Sequence, residues 1–108
     1  MVGLFLTQYT RGRAYEYKAL TILRKQGWLC SRSAASHSPV DIFAGKDGKL
    51  LLVQVKSGSG RVSEEAVKAL REWGRAFDAR VEVWSFKKRG GVEVETLVEG
   101  PRTDASNI

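Results

Sequence analysis

Leu50-Leu51-Leu52-Val53-Gln54-Val55-Lys56 constrains this chain more than any other stretch. Its apolar residues do not alternate with polar ones until Gln54, so it reads as a strand covered on both faces. The two-residue period of a strand puts Leu52, Gln54 and Lys56 on one face and Leu51, Val53 and Val55 on the other. Upstream, Asp41 stands among Val40, Ile42 and Phe43, which read as a neighbouring strand. A hairpin closed near Asp47-Gly48 brings Asp41 alongside Gln54 and Lys56. A carboxylate, a carboxamide and an ammonium then converge in apolar surroundings. Burial of such groups is costly unless they are paired or bind a metal.

The rest of the chain supplies the cover. From Arg11-Gly12-Arg13 to about Gln26, Tyr15, Ala19, Leu20 and Leu23 recur at helical spacing, and Gly27 ends the helix. Glu16, Leu20 and Leu23 stand at i, i+4 and i+7, which places a carboxylate on the apolar stripe. It either serves the site or pairs with a basic neighbour such as Arg13 or Lys18. Trp28 to Arg32 has strand composition, and residues 33–39 form a small-residue loop. Arg32, Ser36 and His37 flank that loop and can donate to phosphate, although a lone loop histidine is most often simply solvated.

After Ser57-Gly58-Ser59-Gly60, Ser63 caps a second helix whose first turn carries Glu64 and Glu65. That helix runs to about Asp78, with Val67, Leu70, Trp73, Gly74 and Phe77 as its apolar stripe. Trp73 reads as core, with an extension into a subunit contact as the alternative. Val81 to Phe86 and Val92 to Leu97 alternate as an edge hairpin around a basic turn, with acids pointing outward. The order is helix, three strands, helix, two strands. This is an α/β or α+β domain with a mixed sheet and a helix on each side. Residues 1–98 are expected to form one domain and residues 99–108 a flexible tail.

A net charge of +6 favours a polyanionic partner, nucleic acid before membrane. No apolar run reaches the length of a membrane span, and Val2 to Leu6 is too short for a secretory core, so a soluble, intracellular, cytoplasmic protein is expected. A single Cys30 and a single His37 leave no basis for a disulfide or a cysteine- or histidine-rich zinc site. Asn107 is the only asparagine, which points towards a thermophilic source.

Asp41, the Gln54 amide oxygen and the Val55 backbone carbonyl are hard oxygen donors of the kind Mg²⁺ takes, with Glu16 direct or through water. The ion would acidify a water and offset charge on phosphorus, and Lys56 would orient that water and stabilise the transition state. The chemistry so described is phosphodiester hydrolysis.

At these residues the chain resembles the PD-(D/E)xK nuclease superfamily and, within it, the archaeal-type Holliday junction resolvases. Val40-Asp41 stands at the family's proline-aspartate, with Pro39 one place early, and Gln54-Val55-Lys56 stands at its (D/E)xK. Gly12 to Glu16 resembles the N-terminal glycine-to-glutamate segment, Leu23 to Trp28 the helix end, and Arg32 with Ala35-Ser36 the arginine and serine loop. The likeness covers about residues 10 to 86. It implies a restriction-endonuclease-like core with a central mixed five-stranded sheet flanked by two helices. It also implies a Mg²⁺-dependent endonuclease, with Mn²⁺ as a substitute, acting on branched DNA at recombination and repair. The catalytic residues would be Glu16, Asp41, Gln54 and Lys56. Such an enzyme would be nucleoid-associated, or in the infected host cell if viral.

The chain departs from the pattern in two places. Gln54 replaces an acid and removes a negative charge from the site. Tyr17 stands where an arginine usually follows the helix glutamate, which leaves its phosphate-binding role to Arg11 or Arg13. These features keep two alternatives open: another DNA nuclease of the superfamily acting on duplexes or flaps, and a DNA-binding module whose site has decayed.

A four-way junction has two-fold symmetry and needs two cuts, and the chain offers one site. Symmetry and resemblance both imply a homodimer. Arg32, Arg61, Lys68, Arg71 and the Lys87-Lys88-Arg89 turn are candidates for the DNA-backbone surface, with a solvated face as the plain alternative for each.

Overall fold

The computed structural model describes residues 2–33, 38–58 and 60–100, with side chains from residue 13 onward. It contains α1 (Val2–Lys25), β1 (Leu29–Arg32), β2 (Ile42–Lys46), β3 (Lys49–Ser57), α2 (Glu64–Phe77), β4 (Arg80–Phe86) and β5 (Val92–Val98). The five strands lie in the order β1-β2-β3-β4-β5. All neighbours are antiparallel except β3 and β4, which are parallel and joined through α2.

α1 starts at Val2, well before the expected entry near Arg11. Val2 to Leu6 holds no helix breaker but Gly3, and an interior glycine costs only about 1 kcal/mol against alanine, so neither Gly3 nor Gly12 stops the helix. Its end is where the sequence places it. Gly27 takes φ 94° while Trp28 N–H donates to Leu23 O and Gly27 N–H to Arg24 O, a Schellman closure. β2 and β3 are joined by Asp47 (φ 53°) and Gly48 (φ 78°), the two left-handed residues of a tight hairpin, between the paired Lys46 and Lys49. Ser63 caps α2 by accepting the Ala66 N–H at 3.1 Å.

β3 has the two covered faces that its composition requires. Leu51 and Val53 join Ala19, Leu20 and Leu23 of α1 together with Ile42, Trp84 and Phe86. Leu52 joins Leu70 of α2 with Val81 and Val83 on the other side. Gln54 and Lys56 therefore project to the α2 side, beyond Leu52. Gly74 is what lets α2 lie this close: a Cβ there would come within 2.6 Å of Val81 Cγ2.

The acids of the last hairpin do not all face water as expected. Glu93 and Glu95 are exposed, but Glu82 accepts from Arg80 Nε at 2.7 Å and from the Trp84 indole N–H at 2.8 Å. Period two places Arg80, Glu82 and Trp84 on one face, so the carboxylate finds both donors on its own strand. Of the expected tail, residues 101–108 lie outside the described residues. Among the described residues no helix is long and apolar enough to cross a membrane.

Candidate active site

The site forms where the sheet has a notch. β2 begins at Ile42, opposite Val53, so the end of β3 from Gln54 to Ser57 has no β2 partner. Asp41 stands one residue before β2 and not within it, as the sequence suggested. The cause is local: Asp41 N–H donates to Val53 O at 2.8 Å, but the next ladder position is filled by a side chain. Asp41 Oδ2 accepts the Val55 N–H at 2.8 Å. The carboxylate thus does the work of a strand carbonyl and is fixed against β3. Because N–H and C=O of one strand residue point to the same side, the Val55 carbonyl also faces the notch.

Gln54 is held just as firmly. Its Nε2 donates to Pro39 O at 3.1 Å. A carbonyl can only accept, so the NH₂ must face Pro39 and the amide oxygen must face away from it. Lys56 rests against the linker that follows β3; a Cβ on Gly60 would lie 3.3 Å from its Nζ.

The other face of the sheet contributes Glu16 and Arg32. Arg32 ends β1, opposite Ile42, and its Nη1 donates to Glu16 Oε1 at 3.0 Å. The guanidinium also lies over the Tyr17 ring, 5.4 Å from its centroid. Glu16 therefore pairs with Arg32 and not with Arg13 or Lys18, its nearer neighbours in sequence. Burial pushes the Asp41 carboxyl up to about 6; the Val55 hydrogen bond opposes this and the Glu16 charge adds to it.

The Asp41 carboxylate and the Val55 carbonyl face the notch, the Glu16 carboxylate lies near enough for its charge to act on Asp41, and the Gln54 amide oxygen is left without Pro39 as a partner. A hard divalent cation fits that set. Among the described residues no three of His, Cys, Asp and Glu gather in a cluster that could hold a metal. Gln54, expected from the sequence to be a ligand, is neutral and is not one of these residue types.

The structure brings Glu16, Arg32, Asp41, Gln54, Val55 and Lys56 to one end of the sheet. The turn holding Lys87, Lys88 and Arg89 follows β4 at that same end, since Phe86 pairs with Ser57. Lys87 is tied to Glu93 at 3.1 Å, while Lys88 and Arg89 are exposed. Arg61 is exposed in the linker, and Lys68 and Arg71 line a shallow depression on α2 with Arg75, which the sequence reading omitted. Arg13 is half-buried on α1 and already engaged. The Arg11 side chain, Ser36 and His37 lie outside the described residues. Pro39, whose carbonyl orients Gln54, was also missed. No side-chain signal marks a backbone acceptor.

A family model described as archaeal Holliday junction resolvase (Hjc) matches residues 7–103. Among solved structures, the chain is similar to Hjc of Archaeoglobus fulgidus, a Holliday junction resolvase from an archaeal hyperthermophile. The two share 27% sequence identity at a TM-score of 0.71, over 81% of this chain and 73% of that one. No curated protein matches the chain.

Proposed function

Because the chain belongs to the archaeal Holliday junction resolvase family, whose members are structure-selective DNA nucleases, we propose that it cuts junctions by divalent-metal hydrolysis at the notch beside β3. The observation that carries this reading is the Asp41 carboxylate hydrogen-bonded to the Val55 N–H at 2.8 Å, with the Gln54 amide turned by Pro39. Asp41, Gln54 Oε1 and the Val55 carbonyl would hold the ion, with Glu16 joining directly or through water. Mg²⁺ is the expected ion and Mn²⁺ a substitute. When bound, the ion supplies positive charge to the scissile phosphate and acidity to the attacking water.

The protein's own residues do the rest. Asp41, fixed by the strand, holds its position without reorganising as charge develops. Lys56 orients the nucleophile and stabilises the charge that builds on phosphate. Arg32, Arg61, Lys68, Arg71 and the 87–89 turn guide the DNA backbone. A branched-DNA substrate implies that the protein works inside a cell, its own or an infected host.

Two copies of one site match the two-fold symmetry of a four-way junction. Support for a homodimer comes from an aromatic patch on the α2 side. Trp73 and Phe77 stack at 5.4 Å, Phe43 lies 6.1 Å from Phe77, and Phe77 is 44% exposed.

The test is incubation with matched four-way, flap and linear duplex DNA, with Mg²⁺ or with chelator. Paired cuts confined to the junction, and lost with chelator, are expected. Binding without cutting under every divalent ion would leave a decayed DNA-binding module, the reading that Gln54 favours. Binding should also weaken with salt, roughly a thousandfold between 50 and 200 mM if about six phosphates are contacted.

A further inference from the structure

Before DNA arrives, the charges around the donor set nearly cancel. Asp41 and Glu16 are its acids, Arg32 and Lys56 its bases, and Gln54 carries no charge. The Arg32 guanidinium is committed from two sides, to Glu16 Oε1 at 3.0 Å and to the Tyr17 ring at 5.4 Å. Both partners of the ion pair are partly buried, with side-chain exposures of 25% and 22%. A dication therefore meets one uncommitted carboxylate, Asp41, and that group already accepts the Val55 N–H. Such a set binds Mg²⁺ weakly, because this ion is ordinarily held by one or two carboxylates together with substrate phosphate.

On the metal-dependent reading of this same site, we propose that Arg32 is a positioning residue that keeps Glu16 out of the metal shell, so that the cation enters only together with DNA phosphate. A guanidinium binds a phosphodiester as readily as a carboxylate, in the same forked geometry. When the scissile phosphate takes Arg32, two changes follow. The phosphate brings its own negative charge, and Glu16, released from its partner, adds a second carboxylate to the set. By linkage, junction DNA raises the affinity for the cation by the same factor as the cation raises the affinity for DNA. Tyr17 supports the exchange by keeping the guanidinium over its ring, 5.4 Å from the centroid.

Calorimetric titration with Ca²⁺, an oxygen-seeking dication used here as the probe, separates this proposal from the reading beneath it. Wild-type protein should bind Ca²⁺ weakly alone and at least about tenfold more tightly with an intact junction, after subtraction of uptake by the junction itself. Removing one nearby unit charge has an effect of that order. Arg32→Gln should bind Ca²⁺ about tenfold more tightly than wild type without DNA, a gain that loss of a merely structural contact would not produce. The double variant Glu16→Gln/Arg32→Gln should lose that gain. Should Arg32→Gln fail to fold by circular dichroism, Arg32→Met keeps the aliphatic stem and carries the same comparison. Equal Ca²⁺ affinity of the wild type with and without junction overturns the proposal, as does a gain that survives in the double variant. No Ca²⁺ binding even with junction removes the metal site itself, and the proposal with it.

Discussion

Gln54 and Pro39 are bound to one another across the hairpin: the side-chain amide donates to the backbone carbonyl at 3.1 Å. The contact makes Gln54 directional. It turns the oxygen away from Pro39, and it gives the glutamine a structural role that an acid at this position could not fill, since a carboxylate would face the Pro39 carbonyl with no proton to donate.

Gln54→Glu should therefore show opposite effects in two measurements. The Mg²⁺ concentration for half-maximal junction cleavage should fall, because a charged ligand replaces a neutral one. The melting temperature without Mg²⁺ should also fall, by the equivalent of about 1–3 kcal/mol for a lost hydrogen bond that leaves a polar group unpaired. Gln54→Ala should raise the Mg²⁺ requirement or stop turnover. A Gln54→Glu protein that melts lower with and without Mg²⁺, and gains no more from the ion than wild type does, would leave Asp41 and Glu16 as the only side-chain ligands.

Asp41→Asn should abolish cutting and leave junction binding, followed by gel shift, nearly unchanged. The amide oxygen can still accept the Val55 N–H, so the hairpin end keeps its geometry. Retained cleavage would refute the assignment of Asp41 to the metal.

In the wild type, cleavage should decline as pH falls through about 6, where Asp41 takes up a proton in the free protein. Bound Mg²⁺ competes with that proton, so the midpoint should move to lower pH as Mg²⁺ is raised. A pH profile with a fixed midpoint at all Mg²⁺ concentrations would place the titrating group elsewhere.

The same carboxyl sets a stability trend. Its folded-state pKa is raised above its ordinary value, so the folded protein holds the proton more tightly than the unfolded chain does. The stabilisation that follows is fully present below about 4 and is lost as pH rises through about 6. Asp41→Asn should accordingly melt higher than wild type at pH 7.5 without metal, and the advantage should vanish near pH 4. An equal offset at both pH values would argue against a buried, costly charge.

Much of this was legible beforehand because it is local. Period two separated Gln54 and Lys56 from Leu51, Val53 and Val55, and Ser63 and Asp47-Gly48 marked a cap and a turn by their own chemistry. The start of α1 was not legible, since Val2 to Leu6 suits a helix or an apolar lead-in equally. The Glu16 to Arg32 pair was hidden for another reason: the partner lies on β1, and helical spacing offered Arg13 and Lys18 instead. Glu82 could have been found, because Arg80 and Trp84 flank it at i−2 and i+2 on the same strand face.

Gly74→Ala should destabilise the fold although alanine is the better helix former. The added methyl would sit 2.6 Å from Val81 Cγ2 and 3.3 Å from Val98 Cγ2. Overpacking of this kind costs about 1–3 kcal/mol, against a helix gain of about 1 kcal/mol. Urea denaturation should show a lower midpoint at unchanged slope. Junction cleavage well below the melting temperature should stay near wild type.

The parallel pairing of β3 with β4 carries a consequence for synthesis of the chain. Glu16, Arg32, Asp41, Gln54 and Lys56 all leave the ribosome before α2, so the residues of the proposed site are translated early. At that moment the far edge of Leu51 to Val55 has no neighbour, because β4 starts only at Arg80. A nascent chain paused between the two strands displays an apolar template for other chains. Fragments ending near residue 78 should aggregate, and the chain's exposure to misassembly ends when Val81 to Phe86 pair with β3 and close it from solvent.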